Sequence, residues 1–235
     1  MKRALVIVPA YNEAGSIGEV LAQIRQAVPD VDRLVVNDGS VDGTGPLVTS
    51  LGERCLDIAC NIGYGPALQA GLSYALRRGY DVAVFLDADG QHDPEDVPRL
   101  IAALDEWDCD MVIGSRYAGG RPYTGPFARR VGQQVFSWLT QAAMGRRIYD
   151  TTSGLKAVRA SAFRLLVEGT YMDFHTEVLI ELSMRGYDVR ELPISMHERK
   201  HGQSMHSWKS LFEYPLKTMF LTLVAAVNVL LPRKS

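Results

Sequence analysis

The sequence predicts an α/β fold: a central, mostly parallel sheet flanked by helices on both faces, followed by an amphipathic or hydrophobic C-terminal helix. Three observations point there. Short apolar runs alternate with segments of helical period through the first half of the chain. The runs are continuous rather than alternating apolar and polar, as strands covered on both faces are. Finally, Asp, Asn and Gly gather where those runs end, and ligands of open parallel sheets bind at the carboxyl ends of the strands.

Taken in order, residues 5–8 form an apolar run that stops at Pro9, the first strand. Residues 16–28 carry Ile17, Val20, Leu21, Ile24 and Val28 at helical spacing. A second strand at 34–36 runs into Asn37-Asp38-Gly39-Ser40, with a short helix over 43–51 and a third strand at 55–60. Residues 66–77 place Leu68, Leu72, Ala75 and Leu76 on one side of a helix. Residues 82–86 are a strongly apolar strand, and Pro94 stands where the next helix should begin, with Leu100, Ile101 and Leu104 behind it. A strand at 111–113, a Gly/Pro-rich loop at 117–126, helices at 127–143 and 174–185 and a strand at 189–196 complete the pattern. No repeat or linker divides it, so one mixed domain over 1–210 with an extension at 211–235 is expected.

Composition narrows the function. Of 235 residues, 47% are hydrophobic and 22% charged, ordinary for a globular domain and unlike a disordered or fibrous chain. Three Cys at 55, 60 and 109 lack the spacing of a zinc or redox site, and buried, reduced thiols in a cytosolic setting are expected. A net charge of −2 argues against nucleic acid as a partner, but its distribution is uneven. Residues 1–115 hold 8 basic and 18 acidic side chains, whereas 116–149 hold 6 Arg and no acid. The acidic half suits a metal cation and the Arg stretch an anion; an unevenly charged, solvated surface is the plainer alternative. The uncharged stretch between Lys217 and Arg233 is shorter than the roughly 17–25 residues that span a membrane. Phe212, Leu216, Met219, Phe220, Leu223, Val227 and Leu230 recur there at helical spacing. That pattern reads as a helix lying in a membrane surface, docking on a partner or packing on the protein's own core.

Four strand ends carry candidate chemistry. Pro9-Ala10-Tyr11-Asn12-Glu13 sets an aromatic ring beside a carboxylate, and the loop 37–44 bends tightly around Asp38 and Asp42. Both could meet a nucleoside, and both are also ordinary turn chemistry. The third is Asp87-Ala88-Asp89-Gly90-Gln91-His92-Asp93. In extended backbone, residues two apart share a face, so Asp87, Asp89 and Gln91 point together. Gathered carboxylates need a cation, and oxygen donors favour Mg²⁺ or Mn²⁺; Asp93 reads as a turn and capping residue before the helix. An EF-hand is excluded because the Gly is fourth and Pro98 stands twelfth. A haloacid-dehalogenase-type phosphatase would carry Asp-x-Asp on its first strand, not about the fourth. The fourth site is Gly114-Ser115-Arg116, which opens the acid-free segment; guanidinium is a natural phosphate clamp. Gly63-Tyr64-Gly65 lacks the third Gly of a dinucleotide fingerprint, and His175 reads as a packing or supporting residue.

With these strings in view, the chain resembles family 2 glycosyltransferases, in particular the polyprenyl-phosphate (dolichol-phosphate mannose synthase-like) sugar synthase branch. Residues 4–210 carry the likeness in seven ordered strings: Val8-Pro9-Ala10-Tyr11-Asn12-Glu13, Asn37-Asp38-Gly39-Ser40, Asn61-Ile62-Gly63, Asp87-Ala88-Asp89-Gly90-Gln91-His92, Gly114-Ser115-Arg116-Tyr117, Asp150-Thr151-Thr152-Ser153-Gly154 and Glu191-Leu192-Pro193-Ile194. The resemblance implies a GT-A type nucleotide-sugar-binding fold. It implies that Pro9, Tyr11, Glu13, Asp38 and Asp87 bind a UDP or GDP sugar, and that Asp87, Asp89 and Gln91 hold a divalent metal. Arg116, one of Arg129 or Arg130, and Arg199 would bind the phosphate of a polyprenyl phosphate acceptor, with Asp150 organising that site. Asp89, Arg116 and Asp150 would then carry catalysis, an inverting displacement for cell-surface glycan or glycoprotein synthesis at the cytoplasmic face of a membrane. Two departures stand out. Met205 follows Ser204 where the family often has Lys, and the single short C-terminal segment implies a small separate membrane protein as a partner. Transfer to a glycan hydroxyl and non-catalytic nucleotide-sugar binding remain the alternatives.

Overall fold

The computed structural model describes residues 2–118, 137, 141, 145–171 and 174–196. The elements run β1 (Ala4–Ala10), α1 (Ile17–Ala27), β2 (Asp32–Asp38), α2 (Thr44–Ser50), β3 (Arg54–Ile58), α3 (Tyr64–Arg77), β4 (Val82–Phe85), α4 (Asp96–Glu106) and β5 (Met111–Ser115). After them come β6 (Lys156–Arg159), α5 (Ala160–Glu168), α6 (Thr176–Met184) and β7 (Val189–Pro193). Seven strands form one sheet in the order β3-β2-β1-β4-β6-β5-β7. Pairings β1/β2, β1/β4, β2/β3 and β5/β7 are parallel, while β6 runs antiparallel between β4 and β5.

The period of two in the strands divides the core. Leu5 and Ile7 face a layer with Leu68 and Leu72 of α3, Phe163 of α5 and Leu179 of α6. Val6 and Val8 face the other layer, with Leu21 and Ile24 of α1 and Leu100 and Leu104 of α4. Burying each such aliphatic side chain contributes about 1.5–3 kcal/mol. Phe85 of β4 is fully buried and meets Phe174 edge-on at 5.4 Å. Gly71 lets α3 approach β1 and β2 closely: a Cβ there would stand 2.5 Å from Ile7 Cγ2.

Several expectations change. The helix after β4 begins at Asp96, not Pro94; Pro94 instead offers its carbonyl to the Val97 N–H, and Asp93 caps the turn through the Glu95 N–H. The last strand ends at Pro193, with an isolated His92–Met196 bridge beyond it. β6 and α5 were not anticipated. Of the thiols, Cys109 is buried, Cys55 half-buried and Cys60 exposed, because Cys60 lies beyond β3 in a loop. Burial pushes the Cys55 thiol up to about 12 and the Cys109 thiol to about 11. The helix expected at 127–143 falls largely outside the described residues, and the extension at 211–235 entirely so. Among the described residues, no helix is long and apolar enough to cross a membrane.

Candidate functional site

Parallel strands β1, β2, β4 and β5 end at one edge of the sheet. Antiparallel β6 begins there, with Lys156 opposite Phe85. The turn 150–155 therefore enters between the ends of β4 and β5, and the site assembles around it.

At the end of β4, the Tyr64 hydroxyl donates to Asp87 Oδ1 at 2.9 Å, and His92 Nε2 lies 3.8 Å from Oδ2. Burial pushes the Asp87 carboxyl up, but His92, the Tyr64 hydroxyl and the charge of His175 outweigh it and hold it at about 2. Gly154 packs directly on this group: a Cβ at 154 would fall 1.7 Å from Asp87 Oδ2. Asp89 Oδ1 accepts the Gln91 backbone N–H at 3.0 Å, which folds the loop tightly after the strand. Among the described residues, no group hydrogen-bonds Nδ1 of the buried His92.

The ends of β1 and β2 are tied together. Ser40 Oγ accepts the Asn12 N–H, Thr44 Oγ1 that of Glu13, and Asp42 Oδ2 that of Ala14. Asn12 returns a bond by accepting the Val41 N–H. Asp38 is buried, and its two oxygens accept the N–H groups of Ile62 and Gly63 at 2.8 and 3.0 Å. Gly39, at φ 68°, lets this loop lie against the Cys60 and Asn61 backbone. Tyr11 stays 42% exposed at the rim, Glu13 accepts the Ser16 hydroxyl, and Pro9 is buried within β1. Tyr11 and Glu13 thus follow β1 and Asp38 closes the neighbouring β2, where its carboxylate shapes the backbone at 62–63.

Beyond β5, Arg116 grips Asp150 with two side-chain hydrogen bonds, each 2.7 Å, and also donates its backbone N–H at 2.9 Å. Its Nη2 further reaches Thr152 Oγ1 at 3.0 Å. Asp150 is fully buried, while the Arg116 side chain keeps 24% of its surface exposed. Glu191, from β7, fixes the approach by accepting the Tyr149 and Asp150 N–H groups, each at 2.8 Å. Burial raises the Glu191 carboxyl, opposed by those two bonds and the Ser115 hydroxyl.

Lys156 is 1% exposed at the start of β6. Its Nζ donates to the Ser153 carbonyl at 2.6 Å and lies 3.3 Å from His175 Nδ1. Burial depresses the ammonium to about 8, with Asp87 and Asp150 pulling it back up and Arg116 lowering it further. The His175 ring stacks on Tyr64 at 5.3 Å, a supporting contact of the kind expected of it.

The structure therefore brings Asp87, Asp89, Gln91, Arg116 and Asp150 to the same sheet edge as Pro9, Tyr11, Glu13 and Asp38. Arg129, Arg130 and Arg199 lie outside the described residues. Sequence reasoning missed the roles of Tyr64, His92, Gly154 and Lys156. Gly154 and His92 stood inside recognised strings, but nothing local marks a glycine as a carboxylate's neighbour 67 residues away.

The donor set suits a hard divalent cation: one carboxylate held ionised at about 2, a second two residues on, both half-buried at a strand end. Among the described residues no group of three or more His, Cys, Asp or Glu is arranged to hold a metal alone. A cation here would complete its shell from substrate phosphate and water, as Mg²⁺ commonly does.

Known proteins resemble the chain in both sequence and fold. Undecaprenyl-phosphate mannosyltransferase of Micrococcus luteus is 36% identical over 87% of this chain and 88% of its own. Polyprenol monophosphomannose synthase of Mycolicibacterium smegmatis is 34% identical over 92% and 85%. Dolichyl-phosphate hexose transferase of Haloferax volcanii is 31% identical over 83% and 82%. Among solved structures, glucosyl-3-phosphoglycerate synthase of Mycobacterium tuberculosis, in complex with Mn²⁺, UDP-glucose and phosphoglyceric acid, superposes with a TM-score of 0.72 at 20% identity. That match covers 96% of this chain and 80% of the other, and it confirms the GT-A type fold. The family model "Glycosyl transferase family 2" matches residues 5–166, from the first residues of β1 into α5. The chain belongs to glycosyl transferase family 2.

Proposed function

We propose that this transferase moves a sugar from a UDP or GDP sugar to the phosphate of a polyprenyl phosphate at a membrane surface. The observation that carries the reading is the turn 150–154, which touches both halves of the site: Asp150 clamps Arg116, and Gly154 packs on Asp87. One short piece of backbone would thereby register donor and anionic acceptor. The names of the three relatives support a polyprenyl phosphate acceptor.

Tyr11, Glu13 and Asp38 line the nucleoside wall beside Pro9. Asp89 and Asp87, with Gln91, would hold Mg²⁺ or Mn²⁺; such a cation supplies charge that stabilises a departing diphosphate. Arg116, with Arg129, Arg130 and Arg199, would neutralise the acceptor. A phosphate monoester loses its second proton near a pKa of about 6, so at neutral pH it attacks without a base. The carboxylates around Arg116 fit that chemistry. Asp150 is locked to Arg116 and Glu191 to two backbone N–H groups, so neither is arranged to take a proton from a sugar hydroxyl. Asp150 organises the acceptor site through its hold on Arg116. Direct displacement then inverts the anomeric carbon.

The test offers labelled GDP-mannose, UDP-glucose and UDP-N-acetylglucosamine to the full-length chain in vesicles with Mn²⁺. Undecaprenyl phosphate and free oligosaccharides are the competing acceptors. Label in the lipid phase supports the reading; label only in the oligosaccharide refutes it. The same assay, run with and without lipid bilayer, tests whether transfer needs a membrane surface.

A further inference from the structure

Sugar transfer as proposed gives no task to one buried cation, Lys156. Lys156 stands in the middle of the sheet, where an apolar side chain between Phe85 and Ile113 would avoid the desolvation that an ammonium suffers. Its contacts close into a ring. Lys156 Nζ holds the Ser153 carbonyl, Ser153 leads to Gly154, and Gly154 lies against Asp87. Asp87 accepts the Tyr64 hydroxyl, Tyr64 stacks on His175, and His175 Nδ1 returns to Lys156 Nζ at 3.3 Å.

We propose that Lys156 is a positioning residue for sugar transfer: by holding the 153–154 turn beneath Asp87, it fixes the carboxylate that meets cation and donor. The inference rests on the transferase reading and adds to it a residue that never touches substrate. The ring also explains why β6 opens on a lysine. Strand β6 is where the turn 150–155 rejoins the sheet, and Lys156 ties that turn to His175 at the start of α6. Both Asp87 and Asp150 attract it, so one buried charge restrains the donor and acceptor halves together.

Four proteins test this: wild type, Lys156→Met, Tyr64→Phe and the double variant, all full-length. Four quantities are read: the thermal midpoint, Mn²⁺ affinity in the presence of UDP or GDP from the free-Mn²⁺ electron paramagnetic resonance signal, and kcat and KM for transfer. Methionine fills the space without charge, so the Lys156→Met midpoint should equal or exceed that of wild type. Mn²⁺ affinity and kcat should each fall by about tenfold or more, the usual range when a group that orients a metal ligand is lost, with KM for the lipid little changed. Because Lys156 and Tyr64 act through one ring, the double variant should be no more than about twofold worse than the worse single variant.

A midpoint lowered by more than a few degrees would make Lys156 a plain stability residue and overturn the inference. Tighter Mn²⁺ binding would also overturn it, since loss of a positive charge with unchanged geometry strengthens a nearby cation site. Unchanged kcat, or losses that multiply in the double variant, would do the same. If wild type transfers no sugar to lipid, the transferase reading fails; the midpoint and Mn²⁺ comparisons still decide the role of Lys156.

Discussion

Asp150 is fully buried, whereas Arg116 keeps 24% of its side chain in contact with solvent. The two ends of the pair are therefore unequal. Arg116→Ala strands a buried carboxylate and should destabilise by about 3–5 kcal/mol. Asp150→Ala leaves a guanidinium that can turn to water, and should destabilise by about 1–3 kcal/mol. Urea unfolding of both variants checks the order; equal losses would mean that the pair is solvated. Lys156 gives a pH signature at the same scale. Its unfolded pKa is near 10.5 and its folded value about 8, depressed by burial and opposed by Asp87 and Asp150, with Arg116 and His175 also facing it. Below pH 8 both states hold the proton and the burial penalty is present in full. Between pH 8 and 10.5 the unfolded chain binds more protons, so stability from this group rises with pH, by about 3 kcal/mol in all. The stability difference between wild type and Lys156→Met, followed by urea unfolding across that window, should shift by that amount in favour of wild type. A flat difference would contradict a buried ammonium.

The elements that sequence made legible are those with strong local signals. β1, β4 and β5 are continuous apolar runs, and α1 carries its core residues at clean helical spacing. β6 has neither: it is Lys156-Ala157-Val158-Arg159, four residues bounded by charges, and its place is set by pairing with β4 and β5. Likewise α5 follows at once, with no side-chain capping bond to announce it. Asp87 and Asp89 were visible as a pair, but the hold of Gly154 on Asp87 and of Asp150 on Arg116 comes from the antiparallel insertion of β6, a tertiary fact. Gly154→Ala tests that arrangement. Its methyl group would occupy the place of Asp87 Oδ2, so stability should fall by about 1–3 kcal/mol from overpacking. Nucleotide-dependent Mn²⁺ affinity should fall as well, by about tenfold or more. Retained Mn²⁺ affinity would show that Asp87 is free to move without consequence.

Across the whole molecule, charge and topology agree. The acidic first 115 residues supply β1 to β5 with Asp38, Asp87 and Asp89 at or just beyond strand ends, and the acid-free 116–149 begins where β5 ends. Under the proposed function one sheet edge would offer carboxylates to a cation and arginine to an anion, and ligands that need both should stabilise the fold together. A nucleoside diphosphate with Mn²⁺ at about 100 times its Kd should add about 2.7 kcal/mol, a rise of several degrees in thermal midpoint for a chain of this size. EDTA should remove that rise, whereas a rise that survives EDTA would separate nucleotide binding from the cation.

The proposed function is tested most directly by the rate of sugar transfer to undecaprenyl phosphate by wild type and Asp89→Ala, measured at saturating donor with Mn²⁺. It predicts a loss of roughly a hundredfold or more in the variant, which keeps its wild-type circular dichroism and thermal midpoint. Wild-type turnover by a folded Asp89→Ala would contradict it.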